Sequence, residues 1–259
     1  MKGAAGRPAD VHAVAVAGFS SDADRYESGR PSYPPDAVGW LCEQTGIEAT
    51  SVVIDVGAGT GKLTRLLEPK AGRVIAVEPV AAMAAKLLEL SPETEIATGS
   101  AETLPFDELT ADAITVAQAF HWFDADAAWR EFRRVLRPGG GVGLIWNARD
   151  RSVQWVDDVW TIMDRVEKSA PWRKHDSPTL QSGPGFGDLE AATFWHDVRV
   201  TPLSMLDRVA SVSHVAVLPE RERQAVLRDV ADALPAGDRL SVRYRVDAYA
   251  ARLLAGGET

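Results

Sequence analysis

The chain has 259 residues, 46% hydrophobic, 25% charged and 7% aromatic, which is ordinary for a globular protein long enough to build a large core. With 28 basic against 37 acidic residues the net charge is −9 and no basic run stands out, so no nucleic-acid partner is expected. Cys42 is the single cysteine, which excludes an internal disulfide; no Cys or His pairs show zinc-ligand spacing, so no metal is expected, and a reducing cytoplasm is the natural compartment.

Lys2 and Arg7 precede a short apolar piece, Val11 to Phe19, that His12 interrupts, and residues 1–18 read as a flexible N-terminal arm rather than a secretion signal. No apolar run approaches the roughly 20 residues that cross a bilayer, so no membrane partner is expected. Three prolines in Phe19 to Pro35 forbid a long helix, and Asp36 to Gln44 then has helical spacing, with Val38, Leu41 and Cys42 on one side.

Val52 to Val56 reads as a buried strand running into Gly57-Ala58-Gly59-Thr60-Gly61, a tight glycine turn that opens a helix at Lys62 to Leu67. Bare Cα atoms at Gly57 and Gly59 let a ligand lie against the backbone. A dinucleotide turn wants a glycine where Lys62 stands, and a phosphate-binding loop wants Ser or Thr where Leu63 stands, so neither fits. What remains is Asp55, Gly57, Gly59 and Gly61 as Asp-x-Gly-x-Gly-x-Gly.

A second strand, Arg73 to Val77, ends in Glu78-Pro79, which places a carboxylate at a strand tip about twenty residues after the turn, where it can accept from two ribose hydroxyls. Val80 to Leu90 follows as a helix; Met83 suits either an adenine face or core filling. The third strand, Glu95 to Thr98, leads into Gly99-Ser100-Ala101-Glu102-Thr103-Leu104-Pro105-Phe106. Ala111 to Ala117 is the fourth, ending in Gln118-Ala119-Phe120-His121-Trp122-Phe123 on the side of an open sheet where ligands bind. Asp124 caps a helix carrying Trp129, Phe132, Val135 and Leu136 at core spacing, and Arg137-Pro138-Gly139-Gly140-Gly141 turns into a fifth strand, Val142 to Trp146.

These five segments resemble, in order, the motifs of the class I methyltransferases that use S-adenosylmethionine. The His-Trp-Phe run and Trp146 to Asp150 resemble the trans-aconitate methyltransferase-like enzymes within the type 11 methyltransferase domain group. The resemblance implies an α/β fold: a Rossmann-like, doubly wound, seven-stranded sheet with the last strand antiparallel and a helical cap inserted after strand five. Its expected divisions are a core with an N-terminal flap over residues 19–150, the cap over 151–190, and completion of the sheet with C-terminal helices over 191–259.

The resemblance also implies cofactor contacts from Tyr26 and Arg30 of the flap, from Asp55, Gly57, Ala58, Gly59 and Gly61 of the turn, and from Glu78, Pro79 and Met83. Ser100, Ala101, Glu102, Gln118 and Ala119 complete that set, with Ser100 standing where many relatives carry Asp. S-adenosylmethionine would be the cofactor and a small molecule the acceptor, through direct in-line displacement. Tyr33, Trp122, Trp146 and Asn147 are expected to face that acceptor.

His121 is the candidate catalytic base, with a purely orienting role as the alternative. His12, His175, His196 and His214 read as surface or structural, and Trp40 and Trp129 as core. Trp155, Trp160 and Trp172 are available from the cap, and Arg149, Arg151, Arg173 and Lys174 are the cations available to an acidic acceptor. The alternatives to a small acceptor are a tRNA or protein substrate, or a non-catalytic sensor that only binds the cofactor.

Overall fold

The structure is a computed structural model that describes residues 23–168 and 180–254. Seven strands form one sheet in the order β3-β2-β1-β4-β5-β7-β6: β1 (Val52–Val56), β2 (Arg73–Val77), β3 (Glu95–Ala97), β4 (Ala111–Ala117), β5 (Leu136–Arg149), β6 (Glu190–Val200) and β7 (Leu240–Arg252). The chain starts in the middle of the sheet, winds out to β3 and crosses back to β4, so β1 and β4 flank the point where strand order reverses. The first five strands are parallel and β7 is antiparallel, as expected for the class I methyltransferase sheet. Such a reversal opens a crevice at the carboxyl ends of the strands.

Among the described residues, 32–148, 180–196 and 245–254 form one compact unit, and 23–31, 149–168 and 197–244 form a second. In the first unit the central strands are nearly continuous Val, Ile and Ala because both faces are covered. Ile54, Val56, Ile114, Val116, Val142 and Leu144 pack in one cluster with the amphipathic helix α5 (Ala125–Val135), which buries Ala128, Trp129, Phe132 and Val135. Asp124 caps that helix by accepting from Ala127 N–H at 3.0 Å. Trp129 lies 5.7 Å from Phe120 and 4.8 Å from Phe186, so it is a core residue, as read. On the opposite face α2 (Pro35–Thr45) buries Ala37, Val38, Leu41 and Cys42 with Val53, Ala113 and Ile145.

The run Arg137 to Gly141 is not a turn before the strand but an interruption within it. Ala111 pairs with Leu136 and Ala113 with Gly141, so the residues between Leu136 and Gly141 bulge out of register. Gly139 at φ +80° provides the left-handed step. Gly141 is glycine for a separate reason: a Cβ there would fall 2.6 Å from Thr45 Cα, because α2 lies flush on β5.

The second unit contains α1 (Ala23–Gly29), α6 (Gln154–Lys168), α7 (Pro202–Ala210), α8 (Ser213–Ala216) and α9 (Glu220–Ala233) with the adjoining ends of β6 and β7. Its core comprises Val156, Val159, Trp160, Met163, Met205, Val209, Val230 and Tyr244. Thr201 and Ser204 cap α7 reciprocally, at 3.1 Å and 2.9 Å, and Pro202 occupies the first helical position. Trp172, Arg173, Lys174 and His175, with the arm over residues 1–18, lie outside the described residues.

Gly141→Ala is expected to lower the stability of the first unit by about 1–3 kcal/mol through overpacking against α2. Urea denaturation followed by tryptophan fluorescence measures it, and an unchanged midpoint would contradict the close seating of α2 on β5.

Candidate functional site

The carboxyl ends of β1 to β4 converge on the glycine turn. Gly57, Gly59 and Gly61 have φ of +69°, +60° and +81°, a region that side-chain-bearing residues rarely enter. The N–H groups of Gly57 and Ala58 both donate to Val77 O, at 2.9 Å and 3.2 Å, which ties the turn to the end of β2. From the other side the tip of β4 presses on it: a Cβ at Gly57 would lie 2.7 Å from Ala119 Cβ. The turn therefore has no room for a side chain at Gly57, and its bare backbone is the candidate cradle for a ligand.

Glu78 is the charged wall of this cradle. It is 6% exposed; Oε2 accepts from Gly59 N–H at 2.7 Å and Oε1 from Val80 N–H at 2.8 Å. Burial pushes its carboxyl above the ordinary range, opposed by those two donors, with Asp55 adding to the rise. Each carboxylate oxygen has a second lone pair, so Glu78 can brace the turn and still accept from two hydroxyls.

Asp55 does not take the contact role expected of it. It is fully buried, its Oδ2 accepting from Thr64 Oγ1 at 2.6 Å and its Oδ1 from Thr115 Oγ1 at 2.8 Å. Asp55 and Thr115 are register partners on neighbouring strands, and Thr64 opens the short helix α3 (Thr64–Leu67) just after the turn. Its oxygens tie β4 and the start of α3 to β1, and its complete burial keeps both from a ligand. Burial raises its pKa to about 6, against the three threonine hydrogen bonds that lower it.

Other expected contacts also serve as supports. Ala101 is 1% exposed and belongs to the core, so only its backbone can meet a ligand. Ser100 is half-buried and its carbonyl accepts from Thr103 N–H at 3.2 Å, closing the loop after β3. Glu102 accepts from Asp124 N–H at 2.9 Å, linking that loop to the start of α5. Met83, on α4 (Ala81–Leu90), is 2% exposed, and Pro79 is exposed. Tyr33, expected to face the acceptor, is instead 7% exposed within the core cluster that α2 buries, just before the Pro34 that starts that helix.

Beyond β4 the backbone is held out of its preferred region. Gln118 has φ +58°, rare for a residue with a side chain, while its N–H donates to Ile145 O at 3.0 Å and its Nε2 to Asn147 O at 3.3 Å. A 3₁₀ turn, Phe120–Trp122, then buries Phe120 and exposes His121. Trp146 Nε1–H points at His121 Nδ1 at 3.5 Å, a long contact that favours the tautomer with its proton on Nε2. Trp122 is partly buried with its ring 5.0 Å from that of His121, and Trp146 meets Tyr249 edge-on at 5.9 Å.

Asn147 is the junction of this group. Its Nδ2 donates to Ser32 O at 3.2 Å and its Oδ1 lies 3.1 Å from His196 Nε2. His196, read from the sequence as structural or superficial, therefore belongs with the expected site residues. Its alternating strand carries no motif, and only the pairing of β6 beside β7 brings it near Asn147. Tyr26 and Arg30 lie in the second unit, with the Arg30 guanidinium 5.1 Å over the Tyr26 ring. Among the described residues no group of three or more His, Cys, Asp or Glu could hold a metal ion, and no helix is long and apolar enough to cross a membrane.

This sheet order, with a glycine turn after β1 and an acid after β2, is the arrangement of a methyltransferase core, and comparison with known proteins agrees. Residues 54–143 match the family described as Methyltransferase domain. An uncharacterized methyltransferase-like protein of Schizosaccharomyces pombe is 33% identical over 242 residues, covering 89% of this chain and 93% of that protein. An uncharacterized methyltransferase of Mycobacterium tuberculosis is 39% identical over 216 residues, covering 83% and 85%. A solved structure from Anaeromyxobacter dehalogenans, described as a candidate type II methyltransferase, superposes with a TM-score of 0.65 at 25% identity, covering 87% of this chain and 99% of that one. The chain belongs to the class I S-adenosylmethionine-dependent methyltransferase family.

The raised pKa of Asp55 has a pH signature. The folded chain holds this proton more tightly than the unfolded chain, whose Asp titrates near about 4. Stability from this group is therefore highest at low pH and falls as pH rises through about 6, by roughly 3 kcal/mol in full. Urea midpoints of the native chain and Asp55→Asn between pH 5 and 8 should diverge: the native chain gains more on acidification than the variant. Parallel pH profiles would contradict the buried, shifted carboxyl.

Proposed function

We propose that the chain binds S-adenosylmethionine on the glycine turn and transfers its methyl group to a small-molecule acceptor. The observation that supports this most is the Glu78 carboxylate, buried at the tip of β2, bonded to Gly59 N–H and retaining lone pairs for a pair of ribose hydroxyls. The residues fit the cofactor: a bare glycine turn that admits no side chain at Gly57 stands beside a fixed acceptor at the reversal of strand order.

The cofactor supplies an already activated methyl on a sulfonium centre. What this chain must supply is placement, orientation and exclusion of water. The cradle and Glu78 place the nucleoside end. Gln118 and Asn147, tied to each other across the tips of β4 and β5, hold the rim rigid. Trp122 and Trp146 offer apolar faces to an acceptor and attraction to positive charge. His121, at the rim beside the Trp146 indole, removes a proton from the acceptor or orients it. A small acceptor is favoured by the acidic net charge of −9 and the aromatic lining of the rim.

Gly59→Arg is expected to abolish binding of S-adenosylmethionine and of its demethylated product in calorimetry, while unfolding at an unchanged or slightly lower urea concentration. Undiminished binding would remove the basis of this reading. Incubation of the native chain with methyl-labelled cofactor and separate pools of carboxylic acids, phenols and tRNA should label a small-molecule pool. Label in tRNA would overturn the small-acceptor assignment, and cofactor binding with no transfer to any pool would favour a sensor.

A further inference from the structure

Asn147 is the only asparagine in the chain, and three separate parts of the first unit converge on it near the end of β5. Its Nδ2 lies 3.2 Å from Ser32 O, its Oδ1 lies 3.1 Å from His196 Nε2, and its backbone carbonyl accepts from Gln118 Nε2 at 3.3 Å. The segment before α2, strand β6 and the tip of β4 therefore meet on one residue, next to Trp146. A carbonyl oxygen only accepts, so the amide atom facing Ser32 O is the nitrogen. The atom facing His196 is then the oxygen, and the ring nitrogen opposite it is the donor: His196 carries a proton on Nε2.

Packing alone does not account for a histidine here. Exposed and half-buried residues alternate along β6, and the half-buried row is Ala192, Phe194, His196, Val198 and Val200, in which His196 is the one polar side chain. Its neighbour in that row, Phe194, meets the Trp40 ring at 6.3 Å. An aliphatic side chain would pack in such a row, whereas a half-buried imidazole costs desolvation that its hydrogen bonds must offset. What the imidazole adds over leucine is a directed polar contact, and Nε2 aims that contact at Asn147 Oδ1. Of the two Nδ2 hydrogens of Asn147, one goes to Ser32 O and the other has no partner among the described residues.

We propose that His196 is a positioning residue: its Nε2–H holds Asn147 Oδ1 toward β6, so that the side-chain amide keeps one orientation and offers its unused Nδ2 hydrogen to the methyl acceptor. The methyl acceptor then carries a lone pair on oxygen or nitrogen at that point. Without His196 the amide is held by the single bond to Ser32 O, and a turn about Cβ–Cγ would offer an oxygen in place of the N–H, which repels the same lone pair. Gln118, at φ +58° and bonded to the Asn147 backbone carbonyl, fixes the main chain of this residue, so the side chain is what His196 sets. Assigning the unused hydrogen to the methyl acceptor rests on the reading of the preceding subsection; the orienting of Asn147 by His196 does not.

Because the chain holds one asparagine, protein isotope-labelled in its asparagine nitrogens shows a single side-chain amide pair by nuclear magnetic resonance. In the native chain one hydrogen of that pair should exchange with solvent about tenfold more slowly than in His196→Phe, where the amide has lost one of its two anchors. His196→Gln, whose Nε2–H reaches the same oxygen, should restore the slow exchange. Equal exchange in the native chain and His196→Phe, or no restoration by His196→Gln, would overturn the positioning role. For whichever acceptor takes up label, KM should rise about tenfold in Asn147→Ala and in His196→Phe, with kcat and the calorimetric affinity for the demethylated cofactor nearly unchanged. His196→Phe should add nothing further in the Asn147→Ala background, because it acts through the amide that is already gone. Effects that multiply, or that fall on cofactor affinity instead, would overturn the assignment to the methyl acceptor. Absence of label in every pool contradicts the methyltransferase reading alone, and the exchange measurement, which needs neither cofactor nor acceptor, still decides the role of His196.

Discussion

A single buried carboxylate holds the glycine turn to the sheet. Asp55 stands next to the carboxyl end of β1, in register with Ala76 on one side and Thr115 on the other. Its two oxygens tie Thr115 of β4 and Thr64 just beyond the glycine turn to the same point. The three positive-φ glycines can therefore be held in a conformation they would not keep alone. A buried carboxyl is expensive, and burial prevails over its hydrogen bonds in raising the pKa. That cost gives the turn one geometry, on which the position of Gly59 N–H and hence of the Glu78 carboxylate depends.

Around this point the chain separates supporting from presenting groups. Ala101, Glu102 and Tyr33 lie in or support the core, while Glu78, His121, Trp122 and Trp146 stand at the strand tips. The strained Gln118 links the two sets, its backbone bonded to β5 and its side chain to Asn147. Strain of this kind persists only where neighbours over-determine it, and here two strand ends do so.

Much of this was legible in the residues. The central strands are apolar runs bounded by turn residues, and β1, β2 and β4 fall where their patterns place them. The glycine turn and Glu78 are recognisable because their chemistry needs particular residues at a particular spacing. Contacts set by tertiary packing were not legible. An acid at the end of a buried strand reads equally as ligand contact or brace, and only the two threonines, one nine and one sixty residues away, show that Asp55 is the brace. His196 carries no local signal, and its partner is 49 residues distant. The bulge within β5 looks like a turn because Pro138 and Gly139 have turn chemistry, while the resumption of pairing at Gly141 depends on β4.

We propose that the turn and Glu78 together hold the nucleoside of S-adenosylmethionine. A crystal structure of the native chain with the demethylated cofactor tests it directly. The account predicts both ribose hydroxyls within hydrogen-bonding distance of the Glu78 carboxylate, the ligand lying against the Cα atoms of Gly57 and Gly59, and Asp55 still bonded to Thr64 and Thr115. A cofactor bound elsewhere, or Glu78 making no contact with the ribose, would contradict it.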